Sequence, residues 1–292
     1  MHKSGFVNII GSPNVGKSTL MNALVGEKLS IINAKAQTTR HRIMGIVNAD
    51  DFQIVYSDTP GILNPAYKMH ESMMAYVHTA LKDADILLFV TDCQEKEPAV
   101  PSILDRLNKH HAPLIIVVNK IDLQKQETVS QYLDYWKEKL PRAMVVAVSA
   151  LHKFNLNILF DKIIELLPEG PAYFSKDELT DKSLRFFASE IIRDKILQYY
   201  DKEIPYSCEV LIDSYKEEVN IDRIAASIIA ARESQKGILI GYKGEKLKKV
   251  GTAARKELED MLGKKVYLEL YVKVEKDWRN NERMLKKFGY LN

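Results

Sequence analysis

The feature that most narrows the possible folds is a glycine-framed octapeptide near the start, Gly11-Ser12-Pro13-Asn14-Val15-Gly16-Lys17-Ser18, with Thr19 next. It matches G-x-x-x-x-G-K-[ST]. Glycines let such a loop curl so that its N–H groups point at phosphate oxygens, while Lys17 reaches the β/γ-phosphates and Ser18 can ligate Mg²⁺. The mechanism needs a strand before the loop and a helix after it, and residues 6–10 and 17–25 read that way. Alone, the motif specifies only a nucleoside phosphate.

Short runs rich in Val, Ile and Phe at 6–10, 43–47, 53–57, 86–91, 114–119 and 144–149 alternate with helical stretches at 17–25, 70–82, 100–110, 127–140 and 156–167. Continuous apolar runs suit strands covered on both faces. The alternation therefore predicts a doubly wound, mostly parallel α/β domain with ligands at the strand C-termini. Pro168-Glu169-Gly170-Pro171 interrupts the rhythm and a polar segment follows. The expected division is a nucleotide-binding domain over 1–170, a linker over 171–182 and a second domain over 183–292. The second domain reads as helix (183–200), strands (207–216 and 223–232), a short apolar helix ending at Gly241, a basic helix (245–262), a strand (266–274) and a terminal helix (277–288). That order makes a smaller α+β module.

Three more segments fall at predicted strand ends in the first domain. Asp58-Thr59-Pro60-Gly61 offers a carboxylate for Mg²⁺ and a glycine N–H for a γ-phosphate, with Ile62 after it. Asn119-Lys120-Ile121-Asp122 offers base selection. The Asp122 carboxylate can accept from N1–H and the N2 amine of guanine, and adenine would leave it unpaired. Ser149-Ala150-Leu151 supplies backbone N–H groups for the guanine oxygen. Each tetrapeptide is weak; all four motifs in order are specific.

These residues resemble the GTPase superfamily, in its translation-factor-related branch. The resemblance implies that a threonine in Gln37-Thr38-Thr39-Arg40-His41 contacts Mg²⁺ and γ-phosphate, with Thr39 preferred over Thr38. Lys17, Thr39 and Gly61 are then the catalytic candidates, and Ser18, Thr39 and Asp58 the Mg²⁺ set. Ile62 departs from the water-orienting glutamine of Ras-like enzymes, so slow intrinsic hydrolysis is expected. Asn14 resembles the asparagine with which related GTPases bind K⁺, whose charge would serve where others use an arginine finger.

In the second domain, Gly241-Tyr242-Lys243-Gly244 has the G-x-x-G form of a KH loop, which clamps four nucleotides of single-stranded nucleic acid. The interval 232–256 carries eight basic residues against two acids, the electrostatic footprint of a phosphate backbone. Candidate RNA contacts are Lys236, Gly237, Ile240, Gly241, Tyr242, Lys243, Gly244, Lys246, Lys248 and Lys249. A phosphate-loop GTPase followed by a type II KH domain, with the phrases 35–42 and 233–237, resembles the Era family of ribosome-assembly GTPases over essentially the whole chain. Membership implies binding of GTP and GDP, contact with the 3′ end of 16S rRNA, a role in 16S processing and small (30S) subunit biogenesis, and a monomer. It also implies peripheral contact with the inner membrane, which the sequence does not independently support.

Composition excludes other classes. Of 292 residues only two are cysteines, Cys93 and Cys208, so a disulfide framework is out and free, buried thiols are expected. The start has no signal-peptide pattern and the longest apolar runs fall far below the ~20 residues of a membrane span, which predicts a soluble cytoplasmic protein. His110-His111 read as a solvated helix end, His70 and His78 lack a third ligand, and Trp278 divides between RNA stacking and packing. The competing reading is an RNA-binding assembly factor in which GTP and GDP act as a slow structural switch. A tRNA-modification or membrane-remodelling GTPase would carry a further domain in place of the basic module.

Overall fold

The computed structural model describes residues 2–33, 35–95 and 98–291. They form two compact units, one comprising residues up to 66 with 73–181, the other 67–72 with residues from 182 onward.

The first unit contains β1 (Lys3–Gly11), α1 (Lys17–Val25), β2 (Ile43–Asn48), β3 (Phe52–Asp58), the part of α2 (Lys68–Lys82) from residue 73 on, β4 (Ile86–Asp92), α3 (Ile103–Lys109), β5 (Leu114–Asn119), α4 (Gln126–Lys139), β6 (Met144–Ala147) and α5 (Leu156–Leu166). The strands make one sheet in the order β2-β3-β1-β4-β5-β6, parallel except for the β2–β3 pair. Every residue of β4 and β5 is buried, as continuous apolar strands require when both faces are covered. Register pairs Ile9 with Asp58, Gly11 with Val90 and Asp92 with Asn119, so the motif-bearing C-terminal ends share one edge. Chain order reverses beside β1, the switch point where such sheets bind ligands.

β6 ends at Ala147 rather than 149, because Ser149 leaves the ladder and bridges back to Phe154 in a tight turn. The helix expected from 100 begins at Ile103. The expected linker is pinned to the sheet. Gln53 accepts from the Tyr173 and Phe174 N–H groups and donates to the Phe174 carbonyl. Ile46 N–H donates to the Leu179 carbonyl at 2.8 Å, Thr180 Oγ1 to the Met44 carbonyl at 2.7 Å, and Met44 N–H to Asp181 Oδ1 at 2.9 Å. Residues 178–181 thus form a strap antiparallel to β2.

The second unit contains α6 (Leu184–Tyr199), α7 (Ile204–Ser207), β7 (Cys208–Lys216), β8 (Ile221–Ala230), α8 (Glu233–Ile240), α9 (Glu245–Leu262), β9 (Lys265–Val274) and α10 (Glu282–Lys287). Its sheet runs β7-β8-β9, antiparallel then parallel. Ile192 and Ile196 of α6, Val250, Ala254 and Leu258 of α9, and Val210, Ile224 and Ile228 of the sheet form its core. The expected terminal helix is divided: Asn281 breaks it and caps α10, its side chain accepting from Met284 N–H. Trp278 is fully buried and donates from Nε1 to the Ser207 carbonyl at 3.0 Å, so its role is packing. Among the described residues no helix is long and apolar enough to cross a membrane.

Candidate functional site

β1 stops at Gly11 and α1 begins at Lys17, so the loop between them presents a helix N-terminus to the cleft. At Gly16 the backbone has φ 95°, and a Cβ would fall 2.3 Å from Asn119 Nδ2, which leaves glycine as the residue that fits. Lys17 is buried beneath the loop and donates to the Gly11 and Ser12 carbonyls at 3.1 and 2.8 Å. Burial draws its ammonium down to about 8, against the opposing pull of Asp58.

Ser18 Oγ donates to Asp58 Oδ2 at 2.7 Å and lies 2.8 Å from Thr39 Oγ1, which is 3.3 Å from the same carboxylate oxygen. Three oxygens from α1, the loop before β2 and the end of β3 therefore converge. Asp58 is wholly buried, its Oδ1 makes no hydrogen bond of good geometry among the described residues, and burial pushes the carboxyl above its ordinary range against the opposing pull of Lys17. A buried carboxylate with an unused oxygen beside two hydroxyls fits a hard divalent cation, and Mg²⁺ matches the all-oxygen set. Thr38 instead turns its hydroxyl to the Lys35 carbonyl at 2.5 Å.

The cleft encloses about 440 Å³ and is lined by Pro13, Asn14, Gly16, Lys17, Ser18, Thr19, Thr39, Gly61, Asn119, Lys120, Asp122 and Leu151 among the expected residues. Gly11, Ser12, Val15, Asp58, Thr59, Pro60, Ile62, Ser149 and Ala150 are not part of the lining. Several of these brace it: Thr59 Oγ1 donates to the Ile9 carbonyl at 2.8 Å, and buried Ile62 donates its N–H to the Gly11 carbonyl at 3.0 Å.

At the base end, Asn119 donates to the Val15 carbonyl and accepts from Ala150 N–H, both at 3.0 Å, joining the phosphate loop to the Ser149–Leu151 turn. Lys120 spans from the Asn14 carbonyl at 2.5 Å to Asp92 at 2.8 Å. Asp122 stands on a single 3₁₀ turn with His152 Nε2 at 3.7 Å. Leu151 and Leu123 are 71% and 60% exposed, yet both line the cleft, the apolar walls that the faces of a purine ring need. Ile31, Ile32, Asn33, Gln37 and Leu123 also line it, and no motif marks them for that role. The adjacent isoleucines Ile31-Ile32 in a largely polar loop are the signal the sequence does carry.

In the second unit, Gly241 (φ 72°) and Gly244 (φ 81°) bracket a turn in which Tyr242 and Lys243 are exposed, with the Lys243 ammonium 5.4 Å from the Tyr242 ring centre. Lys236, Gly237 and Ile240 lie on α8. Between α9 and β9 runs a groove of about 370 Å³ lined by Gly244, Leu247, Lys248, Gly251, Thr252, Arg255, Leu268 and Leu270. Of the expected contacts only Gly244 and Lys248 line it. Lys246 and Lys249 instead lie over the rings of Tyr200 and Tyr199, at 5.8 and 4.4 Å. Gly251, a third glycine, opens the helix face, and Arg255 adds a groove-lining guanidinium; neither belongs to the G-x-x-G pattern.

Of the remaining candidates, His110 is tied into the fold. His110 Nε2 is 2.5 Å from the Leu81 carbonyl and its Nδ1 accepts from Ala112 N–H. Among the described residues no cluster of three or more His, Cys, Asp or Glu side chains is placed to hold a metal ion, so the Ser18–Thr39–Asp58 set stands on one carboxylate and two hydroxyls. Both cysteines are free, Cys208 buried and Cys93 only partly so.

Residues 6–120 match the family model described as 50S ribosome-binding GTPase, and residues 203–279 match the KH domain. GTPase Era of Clostridium kluyveri is 44% identical over 292 residues, covering 99% of this chain and 100% of that protein. GTPase Era of Syntrophus aciditrophicus is 45% identical over 293 residues, covering 99% and 96%. A crystal structure of Era in complex with MgGDPNP and nucleotides 1506–1542 of 16S ribosomal RNA is 40% identical, covers 100% of both chains and superposes with a TM-score of 0.96. A single-substitution variant of Aquifex aeolicus Era bound to GDP·AlF₄⁻ is 40% identical with a TM-score of 0.94, covering 99% of this chain and 100% of its own. With both units matched in order and the four nucleotide motifs gathered on one sheet edge, the chain belongs to the Era family of GTPases.

Proposed function

We propose that the first unit binds GTP with Mg²⁺ and hydrolyses it slowly, while the second holds the 3′-terminal region of 16S rRNA, and that the protein acts in 16S processing and 30S subunit biogenesis in the cytoplasm. The observation that carries the nucleotide half is the convergence of Ser18, Thr39 and Asp58 beside buried Lys17. Lys17 and the loop N–H groups hold the β- and γ-phosphates, and Thr39 senses the γ-phosphate. The Gly61 N–H orients the transferred group. A bound Mg²⁺ supplies charge neutralisation between the β- and γ-oxygens. Asp122 selects guanine and Leu151 covers it.

The RNA half is supported by the groove between α9 and β9, where Lys248 and Arg255 flank Leu247, Leu268 and Leu270. Basic residues meet the backbone while an apolar floor receives bases. The family model's description speaks of the 50S particle, whereas the full-length Era relative is in complex with small-subunit RNA. Identity and coverage favour the latter as the guide. Family likeness alone carries the inner-membrane contact.

Ile62 favours the second reading, a slow switch, because its side chain is buried and cannot orient an attacking water. K⁺ beside Asn14, which lines the cleft with φ 65°, would add charge at the phosphates. Single-turnover GTP hydrolysis, measured with and without a 3′-terminal 16S fragment and in K⁺ against Na⁺, separates these. Acceleration by RNA supports the enzyme reading, and an unchanged rate supports the switch. Equal rates in the two salts remove K⁺.

A further inference from the structure

Three residues beyond Thr39, just before β2, Arg42 is 7% exposed. It does not line the nucleotide cleft. Its guanidinium is shared among three elements. Nε donates to Ser57 Oγ at 2.6 Å, on β3 and one residue before Asp58. Nη2 donates to Asn8 Oδ1 at 3.2 Å on β1, the strand that runs into the phosphate loop. Nη1 and Nη2 form a fork on Asp83, at 2.5 and 3.0 Å, immediately after α2. Asn8 closes the ring by donating from Nδ2 to the Ala80 carbonyl at 2.6 Å and to Asp83 Oδ1 at 2.7 Å.

A rigid planar fork can satisfy such divergent acceptors together, and an ammonium on a flexible stem cannot. The loop carrying Thr39 therefore has one end bolted to the strands that bear the phosphate loop and Asp58, and to the end of α2. A loop with a fixed end presents a side chain within a narrow arc, while a loose end spreads it over many positions at an entropic cost to binding.

We propose that Arg42 is a positioning residue for triphosphate recognition. Held by Asn8, Ser57 and Asp83, it sets the approach of Thr39 to Ser18 and Asp58, so that the clamp discriminates GTP from GDP without touching either. This rests on the reading of Thr39 as the residue that senses the γ-phosphate. GDP binding relies on the phosphate loop, Lys17 and Asp122, and stays outside the clamp's reach.

The test measures the affinity of the full chain for fluorescent GDP and for a non-hydrolysable fluorescent GTP analogue with Mg²⁺, together with the thermal midpoint, in Arg42→Gln, Arg42→Lys, Asp83→Asn and Thr39→Ala. Losing the buried hydrogen bonds to Ser57 and Asn8 together with the part-buried fork on Asp83 should weaken the analogue about tenfold in Arg42→Gln, with GDP affinity nearly unchanged. Arg42→Lys should recover only part of this, since it keeps the charge and loses the fork. Asp83→Asn, which preserves shape, should show a smaller loss in the same direction and serves if Arg42→Gln does not fold. A fall in both affinities together with the midpoint would reduce Arg42 to a structural residue and overturn the proposal, as would an unchanged GTP-to-GDP ratio. If Thr39→Ala leaves the ratio intact, the reading of Thr39 itself is wrong. If Thr39→Ala lowers it and the Arg42 and Asp83 variants do not, only the clamp is rejected.

Discussion

Lys17 carries a titration that its surroundings have displaced. Burial brings its ammonium to about 8 in the free protein, and phosphate oxygens beside it would raise that value on binding. The free group is lowered and the bound group raised, so GTP binding takes up a proton above about pH 8. Affinity then declines with rising pH by up to about tenfold per unit. Titration calorimetry in buffers of differing ionisation heat should find little proton uptake at pH 7 and uptake approaching one proton at pH 9; none at pH 9 would mean that Lys17 does not titrate. At the base end, Asp122→Asn removes a carboxylate acceptor and should weaken GTP binding about a hundredfold while favouring xanthosine triphosphate, measurable by competition between the two. The motif residues are legible in the sequence because each needs a fixed spacing along the chain. Arg42 is not. Its partners, Asn8, Ser57 and Asp83, come from three separate elements, and no spacing in a sequence announces a side chain whose acceptors are assembled only by folding.

Among the elements, α9 has two differently used faces. Lys248 and Arg255 line the groove with Leu247 and Gly251, whereas Lys246 rests on Tyr200, just past the end of α6, and Lys249 on Tyr199, its last residue. Replacing Lys248 and Arg255 with alanine should lower affinity for a 3′-terminal 16S fragment. It should also flatten the dependence of log affinity on log salt by about 0.7 for each phosphate left without its cation. The same change at Lys246 and Lys249 should act mainly on the thermal midpoint, since each gives up a cation–π interaction worth about 0.5–1 kcal/mol. Fluorescence anisotropy across a salt series, paired with thermal melts, distinguishes the faces; equal RNA losses from both pairs would reject the division. The helix itself is legible from its periodicity, but which lysines serve the groove depends on where α6 and β9 pack. The doubly wound, mostly parallel sheet is similarly legible from the alternation of apolar strands and helices, whereas its strand order appears only in the fold. The end of β6 and the break at Asn281 are not legible, because a side-chain cap or a two-residue bridge decides them locally.

At the scale of the chain, charge separates by function. Residues from 183 onward hold 22 Lys/Arg against 18 Asp/Glu, and the preceding ones 20 against 21. Polyanion binding by the second unit then rests on net attraction, and nucleotide binding by the first on a few placed donors. The strap at 178–181 belongs to this scale because it joins the segment before α6 to β2. A chain ending at 181 should bind GTP and melt higher than one ending at 170, by a few degrees for the several hydrogen bonds retained; equal midpoints would show that the strap adds no stability. Its polar sequence reads as a linker because backbone pairing leaves little trace in side-chain pattern. The strap also governs how molecules of this protein meet one another. β2 is a terminal strand of the six-stranded sheet, and an open strand of that kind templates edge-to-edge association. With 178–181 hydrogen-bonded along it, and with β6 at the opposite margin only four residues long, neither margin offers a long unpaired ladder to a second copy. The shortened chain ending at 170 should therefore self-associate at concentrations where the full chain stays dispersed.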